Sequence, residues 1–229
     1  MDIELNYREA GEGYPLILLH GNGEDGGHFR HQLDFFSTKG YRVIAIDTRG
    51  QGESPRGTAP FTYEQFAKDL EGFMDEHGLF RADILGFSDG AVTALLFAMT
   101  HPERITKLIL NGANLDPEGI VEPIRKKIAS KAEQFEKAKD ESPEAMAQYE
   151  NFELMAKHPS IDPKELSKVE CPTLVIVGTN DLIDAAHTEL IYRSLPNAEL
   201  VFVQGDHFIA YDNPGAFNDA VYKFLKEVG

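Results

Sequence analysis

The sequence predicts an α/β protein in which a mostly parallel β-sheet is flanked by helices. Short apolar strand patterns alternate with amphipathic helix patterns along most of the chain. Such alternation is typical of parallel strands joined by right-handed helical crossovers. The 229 residues, 42% of them hydrophobic, suffice for one large domain with a substantial core. We therefore expect a single domain over residues 1–229.

Seven strands and five helices are predicted outside the middle of the chain. Runs rich in aliphatic residues indicate the strands, and longer amphipathic runs indicate the helices. Thr62, followed three residues later by Gln65, predicts a capping box at one helix start. The strands are Ile3–Glu9, Leu16–His20, Arg42–Asp47, Ala82–Phe87, Ile105–Asn111, Thr173–Gly178 and Leu200–Val203, and the helices are Gly27–Lys39, Tyr63–Gly78, Asp89–Thr100, Asp184–Ser194 and Gly215–Val228.

Residues 115–168 interrupt the alternation with a segment rich in Lys, Glu and Ala that contains no strand pattern. Because its ends return to adjacent strands, we expect this insertion to cover the carboxyl edge of the sheet as a helical cap. A dimerisation surface is the alternative. Apolar residues recur there at helical spacing, namely Ile120, Ile124, Ile128 and Phe135, then Met146, Tyr149, Phe152 and Met155.

Between an apolar strand and an apolar helix the chain reads Gly86-Phe87-Ser88-Asp89-Gly90. A strand that reverses sharply into a helix strains the turn residue and crowds its neighbours, and the two glycines relieve that crowding. The serine hydroxyl is then exposed at the tip of the turn, beside a helix N-terminus. This context predicts that Ser88 is a nucleophile. A structural elbow without catalysis is the alternative.

A serine nucleophile needs a base, and the base needs an acid that orients it. His207 and Asp181 each follow a predicted strand, so we expect both at the same sheet edge as Ser88, where parallel sheets gather catalytic groups. The chain order Ser, Asp, His is that of nucleophile-elbow hydrolases. Two other acids compete with Asp181: Asp206 adjoins the histidine and reaches back to it with difficulty, and Asp184 has the position of a helix N-cap.

The oxyanion that forms in acyl transfer needs hydrogen-bond donors. The backbone N–H of Asp89, which follows the nucleophile, is one expected donor. We assign the other to the backbone N–H of Asn22, in the glycine-rich loop after the second strand. Gly21 and Gly23 flank Asn22 and permit close approach of the backbone.

Several polar residues near these motifs are expected to be structural. His20 should brace the glycine-rich loop, and the histidines on predicted helices or at their ends are expected to be packing or surface residues. Asp47 and Arg49 should form an ion pair within the turn that follows the third strand. The single cysteine, Cys171, lacks an elbow and a nearby base, so we expect a structural thiol.

These motifs resemble those of the α/β-hydrolase superfamily over nearly the whole chain. The resemblance implies the family's fold, with Ser88, Asp181 and His207 as nucleophile, acid and base. The region around the elbow looks most like the valacyclovir-hydrolase-like branch, which implies esters of amino acids as substrates. The matching segments are residues 20–23, 47–54, 86–90, 178–181 and 205–207, and the branch resemblance lies in residues 84–114.

Two features depart from the family pattern. The chain begins almost at its first strand, so that edge of the sheet is expected to be trimmed. The chain has no Trp, so the aromatic wall of the substrate pocket is expected from Phe29, Phe87 and Phe208. Gly21 and Asp89 are also expected to contact the substrate.

The Asp89 carboxylate allows two interpretations. In the first turn of a helix it is stabilised by the helix dipole by about 0.3–1 kcal/mol and needs no ligand. Beside the nucleophile and near the acidic pair Glu24 and Asp25, it is also placed to attract a cationic group on the substrate. Both interpretations stay open at this point.

Composition restricts the expected partners. The formal net charge of −16 argues against nucleic acids and anionic membranes, whose binding depends on basic patches. The sequence shows no metal-ligand pattern, and we expect no metal and no cofactor. It shows no signal-peptide pattern and no membrane-spanning run, and its lone cysteine suits a reducing compartment. We therefore expect a cytoplasmic enzyme that is a monomer or a homodimer.

The sequence thus predicts a serine hydrolase of small carboxylic esters, with an acyl-enzyme on Ser88 and aminoacyl esters as the class that the branch implies. Thioester, lactone, small-peptide and carbon–carbon bond hydrolysis by the same residues are alternatives. Dehalogenases and epoxide hydrolases are disfavoured, because they carry a carboxylate where this chain has Ser88. A ligand-binding receptor that keeps the fold without catalysis is the alternative outside enzymes.

Overall fold

A computed structural model describes residues 2–227, so the predicted helix end at Val228 lies outside the described residues. Seven strands form one sheet in the order β1-β3-β2-β4-β5-β6-β7. Strand β1 is antiparallel to β3, and all other neighbouring strands are parallel. The strands are β1 (Tyr7–Ala10), β2 (Tyr14–Leu19), β3 (Tyr41–Ile46), β4 (Ala82–Phe87), β5 (Ile105–Asn111), β6 (Thr173–Gly178) and β7 (Ala198–Val203).

Helices cover both faces of this sheet, which confirms the expected α/β class. Leu16 and Leu18 of β2 pack in one apolar cluster with the first and last helices, while Ile17 and Leu19 pack in the other with the second and third. This alternation follows from the two-residue period of a strand. The helices are α1 (Arg30–Ser37), α2 (Tyr63–Glu76), α3 (Asp89–Thr100), α4 (Glu122–Glu136), α5 (Pro143–Lys157), α6 (Ala185–Ser194), α7 (Ile209–Asp212) and α8 (Pro214–Lys226).

Two element starts differ from the predicted ones by three residues or more, and the predicted capping box forms only in part. Strand β1 begins at Tyr7 rather than at Ile3, because the backbone of Asn6 is already bonded to the loop after β3. A 3₁₀ turn over Gly26–Phe29 precedes α1. At the start of α2 the Thr62 hydroxyl accepts the predicted bond from the Gln65 N–H, but the Gln65 side chain donates to Asp69, so the capping box is one-sided.

The expected ion pair between Asp47 and Arg49 is wrong. The Arg49 guanidinium instead makes two 2.7 Å bonds to Asp69 of α2 and a third to Asp2. The Asp47 carboxylate accepts the backbone N–H groups of Gly26 and Glu53 and the side-chain amide of Asn6. The physical reason is that Asp47 satisfies loop donors, while the buried Arg49 needs partners from other elements.

Helices α4 and α5 form the insertion between β5 and β6. No residue of α4 is buried, and the rings of Phe135 and Phe152 stack at 5.4 Å to join α4 to α5. The Arg56 guanidinium binds both carboxylate oxygens of Glu150, at 2.6 and 2.8 Å, and so ties α5 to the loop between β3 and α2. The insertion therefore has one helix anchored to the body of the protein.

Candidate active site

The turn between β4 and α3 holds Ser88 in a backbone conformation that residues with a side chain rarely adopt. Its φ of 52° and ψ of −118° make it the only non-glycine residue with positive φ among residues 2–227. A Cβ at Gly86 would lie 2.3 Å from the Gly90 oxygen, and one at Gly90 would lie 2.1 Å from the Leu19 oxygen. Both glycines are thus sterically required, and such strain typically marks a functional turn.

The His207 and Asp181 side chains are joined by a hydrogen bond of 2.6 Å between Nδ1 and Oδ1. Both side chains are almost fully buried. The backbone N–H groups of Gly178 and Ile183 also donate to the Asp181 carboxylate. Burial alone would raise the pKa of Asp181, but the bond and charge of His207 and these two donors outweigh it, and the pKa lies below its ordinary value. Asp181 is therefore an anion at neutral pH.

The second ring nitrogen of His207 is left free. Its Nε2 is buried and has no hydrogen-bond partner in the described part of the chain. The ring is held against Gly112, where a Cβ would lie 2.5 Å from Cε1, and against Phe87 at a centroid distance of 4.8 Å. Ser88 and His207 line the same cavity. The geometry thus leaves Nε2 free to accept a proton from a hydroxyl in this cavity.

The two competing acids are engaged elsewhere. The Asp206 carboxylate accepts the N–H of Phe208 at 2.9 Å. Asp184 caps α6 by accepting the N–H of Ala186 at 2.8 Å, as the sequence predicts. The structure thus brings Asp181, and neither of these two, to the histidine.

The glycine-rich loop leaves one amide unused beside Ser88. The N–H of Gly21 donates to Glu24, and that of Gly23 donates to Gln51 at 2.7 Å. The backbone N–H of Asn22 has no acceptor among residues 2–227, nor has that of Asp89. Both residues line the cavity, so these two donors are available to an oxyanion.

His20 braces this loop, as expected. Its Nε2 accepts the N–H of Thr48 at 2.9 Å, so its Nδ1 carries the proton and donates to the Gly21 carbonyl at 2.8 Å. Burial is the main cause that lowers the pKa of His20, which keeps the ring neutral in this bridging role.

The cavity above Ser88 has a volume of about 160 Å³ and lies between the sheet edge and the insertion. Four of the five residues expected to form the substrate pocket line it, namely Gly21, Phe87, Asp89 and Phe208. Phe29 does not line it, which corrects the expected aromatic wall, because its ring is fully buried in the core beneath the sheet edge. The insertion contributes Ile124, Ile128, Met155 and His158, and the sheet edge contributes Asn22, Ser88 and His207.

The Asp89 side chain is buried in the wall of the cavity. Its Oδ2 accepts the side-chain amide of Asn22 at 2.8 Å, and the Tyr63 hydroxyl is a second donor. Burial is the main cause that raises the pKa of Asp89, opposed by these two hydrogen bonds. The cavity lining contains Asp89 and Glu24 and neither Lys nor Arg.

The contacts that Tyr63 and His28 make at the site were not predicted from the sequence. Tyr63 is the first residue of α2, and its position gives no signal of a contact with Asp89 across the fold. His28 is a packing residue, one of the two expected alternatives, and its buried ring stacks face to face on Phe87, next to the nucleophile. Among residues 2–227 no cluster of three or more His, Cys, Asp or Glu side chains is arranged to hold a metal ion. No helix of this part is both long and apolar enough to cross a membrane.

Fold and site together define a hydrolase with a nucleophile elbow. The chain matches the family described as the alpha/beta hydrolase fold over residues 14–143, and it belongs to this family, as the sequence motifs indicate.

Similar proteins include hydrolases of several kinds. A 2-hydroxy-6-oxononadienedioate/2-hydroxy-6-oxononatrienedioate hydrolase of Burkholderia vietnamiensis is 27% identical and aligns with 98% of this chain and 92% of its own. The human serine hydrolase BPHL is 28% identical over 98% of this chain and 84% of its own. The crystal structure of the enol-lactonase from Burkholderia xenovorans LB400 superposes with a TM-score of 0.81, at 26% identity and coverage of 98% and 97%. The chain is thus a hydrolase of this family.

Proposed function

We propose that this protein hydrolyses small carboxylic esters through an acyl-enzyme on Ser88. The observation that carries the proposal is the 2.6 Å bond between His207 and Asp181, with the opposite nitrogen of the histidine free in the cavity that Ser88 lines. A buried imidazole oriented by a carboxylate is the base that a serine hydroxyl needs.

In this proposal His207 Nε2 takes the Ser88 proton as Oγ attacks the ester carbonyl. The N–H groups of Asn22 and Asp89 donate to the oxyanion of the tetrahedral intermediate. The imidazolium, stabilised by Asp181, then gives its proton to the leaving alcohol as the carbon–oxygen bond breaks. A water molecule, deprotonated by the same nitrogen, releases the acid and restores Ser88.

The charge of the cavity favours a cationic or neutral acyl group. Asp89 and Glu24 line it without any Lys or Arg, so an anionic substrate would meet like charge. Opposite charges about 4 Å apart near a protein surface attract by roughly 4 kcal/mol before desolvation. We therefore propose aminoacyl esters as the preferred class, with the α-ammonium group facing Asp89. The similarity to human serine hydrolase BPHL agrees with the resemblance to the valacyclovir-hydrolase-like branch.

Carbon–carbon bond hydrolysis is the second candidate, because similar proteins carry the name of 2-hydroxy-6-oxononadienedioate hydrolase. That name describes a dicarboxylate substrate. The absence of Lys and Arg from the described cavity lining leaves the two carboxylates of such a substrate without a cationic partner, which ranks this activity below ester hydrolysis.

The test is a panel of p-nitrophenyl esters, aminoacyl beside simple acyl, with a 2-hydroxy-6-oxodienoate for comparison. Turnover of esters, aminoacyl ones fastest, supports the proposal, and turnover of the dienoate alone refutes it. A fluorophosphonate probe separates an enzyme from a receptor: stoichiometric labelling of Ser88 supports the enzyme, and folded protein that is not labelled contradicts it.

We also propose that α4 and α5 serve as a cap that shapes the acyl pocket, because Ile124, Ile128 and Met155 line the cavity from above. Substitution of Ile128 by Ala should change the acyl-chain preference in the ester panel. An unchanged preference would favour the alternative of an association surface.

A further inference from the structure

Glu24 and His28 lie outside the proposed triad, yet both contact residues that build the site. One carboxylate oxygen of Glu24 accepts the backbone N–H of Gly21 at 3.2 Å, in the loop that carries the unused Asn22 amide. The other carboxylate oxygen lies 3.1 Å from Nδ1 of His28. Glu24 therefore joins this glycine-rich loop, residues 20–23, which we call the oxyanion loop, to the turn before α1.

The His28 ring continues this connection toward the nucleophile. It stacks on Phe87 with a centroid distance of 4.5 Å and an interplanar angle of 6°. Phe87 is the last residue of β4 and directly precedes Ser88. The side chain of His28 is only 4% exposed, so this stack is shielded from water.

Phe87 in turn packs against Gly21 and closes the connection. A Cβ at Gly21 would lie 3.0 Å from Cε1 of Phe87 and 3.1 Å from Oε2 of Glu24. Gly21 is thus held between the aromatic ring and the carboxylate. The four residues, Gly21, Glu24, His28 and Phe87, form a closed ring of contacts that links the oxyanion loop to the end of the strand that carries Ser88.

We propose that Glu24 and His28 are positioning residues that hold the oxyanion loop at a fixed distance from Ser88. The inference rests on the proposed function, because in that function the Asn22 N–H donates to the oxyanion of the transition state. Both oxygens of Glu24 are engaged within the protein, so its role is to hold the loop and not to bind the acyl group. Electrostatic stabilisation of an oxyanion requires donors that are already in place when charge develops.

The experiment compares Glu24→Ala, Glu24→Gln and His28→Phe with wild type, using p-nitrophenyl acetate and a fluorophosphonate probe. Glu53→Ala is the matched control, because it removes one acidic side chain from an exposed position of a nearby turn. Loss of one oxyanion donor typically costs about 10²–10³ in kcat, so a displaced donor should cost about tenfold or more.

Glu24→Ala should lower kcat by about tenfold or more with KM within about threefold, and should slow labelling of Ser88 by a similar factor, because the phosphonyl oxygen occupies the oxyanion position. Glu24→Gln should stay within about threefold of wild type, since its amide oxygen can still accept the Gly21 N–H. His28→Phe keeps an aromatic stack and loses the bond to Glu24. Its kcat should therefore lie between those of Glu24→Ala and Glu24→Gln. Glu53→Ala should match wild type.

A kcat for Glu24→Ala within twofold of wild type would overturn the proposal, as would a rise in KM alone, which would mark Glu24 as a substrate ligand. If Glu24→Ala does not fold, His28→Phe decides: wild-type kcat and labelling rate in that variant reject the positioning role, and a loss of kcat at unchanged KM supports it. Failure of the wild-type protein to label at Ser88 would instead refute the proposed function, so the two failures are distinguishable.

Discussion

The side-chain amide of Asn22 donates to the Asp89 carboxylate at 2.8 Å and, at 3.3 Å, to the backbone carbonyl of Asn151 in α5. The Asn22 side chain thus contacts both the residue after the nucleophile and α5, the anchored helix of the insertion. The donors that hold the Asp89 carboxylate, Asn22 and Tyr63, are both uncharged. When Asp89 is ionised, its charge therefore has no Lys or Arg side chain to balance it in the described cavity lining.

The first prediction concerns this unbalanced charge. Wild-type protein should prefer an ester with a free α-amino group over its N-acetylated form by about one to two orders of magnitude in kcat/KM, because charges near 4 Å attract by roughly 4 kcal/mol before desolvation. Asp89→Asn keeps the backbone donor and removes only the charge. It should abolish the preference and spare neutral esters, as kinetics on the matched pair will measure.

Two outcomes would contradict this role of Asp89. Equal loss of activity on both esters would mean that the carboxylate is structural, stabilised by the helix dipole and its two donors. Equal rates of the wild-type protein on both esters would remove aminoacyl esters as the preferred class.

A second prediction concerns Ser88. Ser88→Ala should reduce ester turnover by several orders of magnitude, because the nucleophile is lost, while thermal unfolding shows an intact fold. The Ser88 side chain makes no capping hydrogen bond to α3, so Tm should not fall. Relief of backbone strain is small, since Ala at φ of 52° is strained as well. Activity within tenfold of wild type would exclude Ser88 from the mechanism.

A third prediction separates the three candidate acids. Asp181→Asn should lower kcat by about 10³–10⁴ with little change in KM, because an asparagine favours the wrong histidine tautomer. Asp184→Asn and Asp206→Asn are matched controls, since their carboxylates bond to backbone N–H groups of Ala186 and Phe208. A large loss of kcat in either control, with none in Asp181→Asn, would reverse the assignment.

The sheet and the elbow could be predicted from sequence because their signals are local. Strand patterns and the spacing of Gly86 and Gly90 around Ser88 depend on backbone sterics that neighbouring residues determine. The approach of Asp181 to His207 could be anticipated for a related reason, since parallel strands deliver their carboxyl ends to one edge.

The remaining contacts depend on which elements pack together. Arg49 pairs with Asp69 and Asp2 across three segments of the chain, and sequence distance gives no measure of such proximity. The same holds for Phe29, which was expected in the aromatic wall of the pocket and is buried in the core. Tyr63 reaches Asp89 only because α2 packs on α3, and this pairing of helices is determined by side-chain packing in the folded state.

The last prediction uses Asp83, far from the site in the second position of β4. It is only 4% exposed, and its Oδ1 is buried without a partner in residues 2–227. Burial raises the pKa of Asp83 from 3.8 to about 7, and the nearby charges of Lys107 and Arg81 only partly oppose this. Between these two values the unfolded chain has lost its proton while the folded chain keeps it, so ionisation favours unfolding as pH rises from about 4 to 7.

Asp83→Asn removes this titration and keeps the size of the side chain. The stability of the variant relative to wild type should therefore increase between pH 5 and pH 8, by up to about 2–3 kcal/mol, since one pKa unit corresponds to 1.36 kcal/mol. Urea unfolding of both proteins at the two pH values measures the difference, and all other titrating groups cancel in it. A difference that stays constant with pH would show that Asp83 ionises in the folded protein as readily as in the unfolded chain.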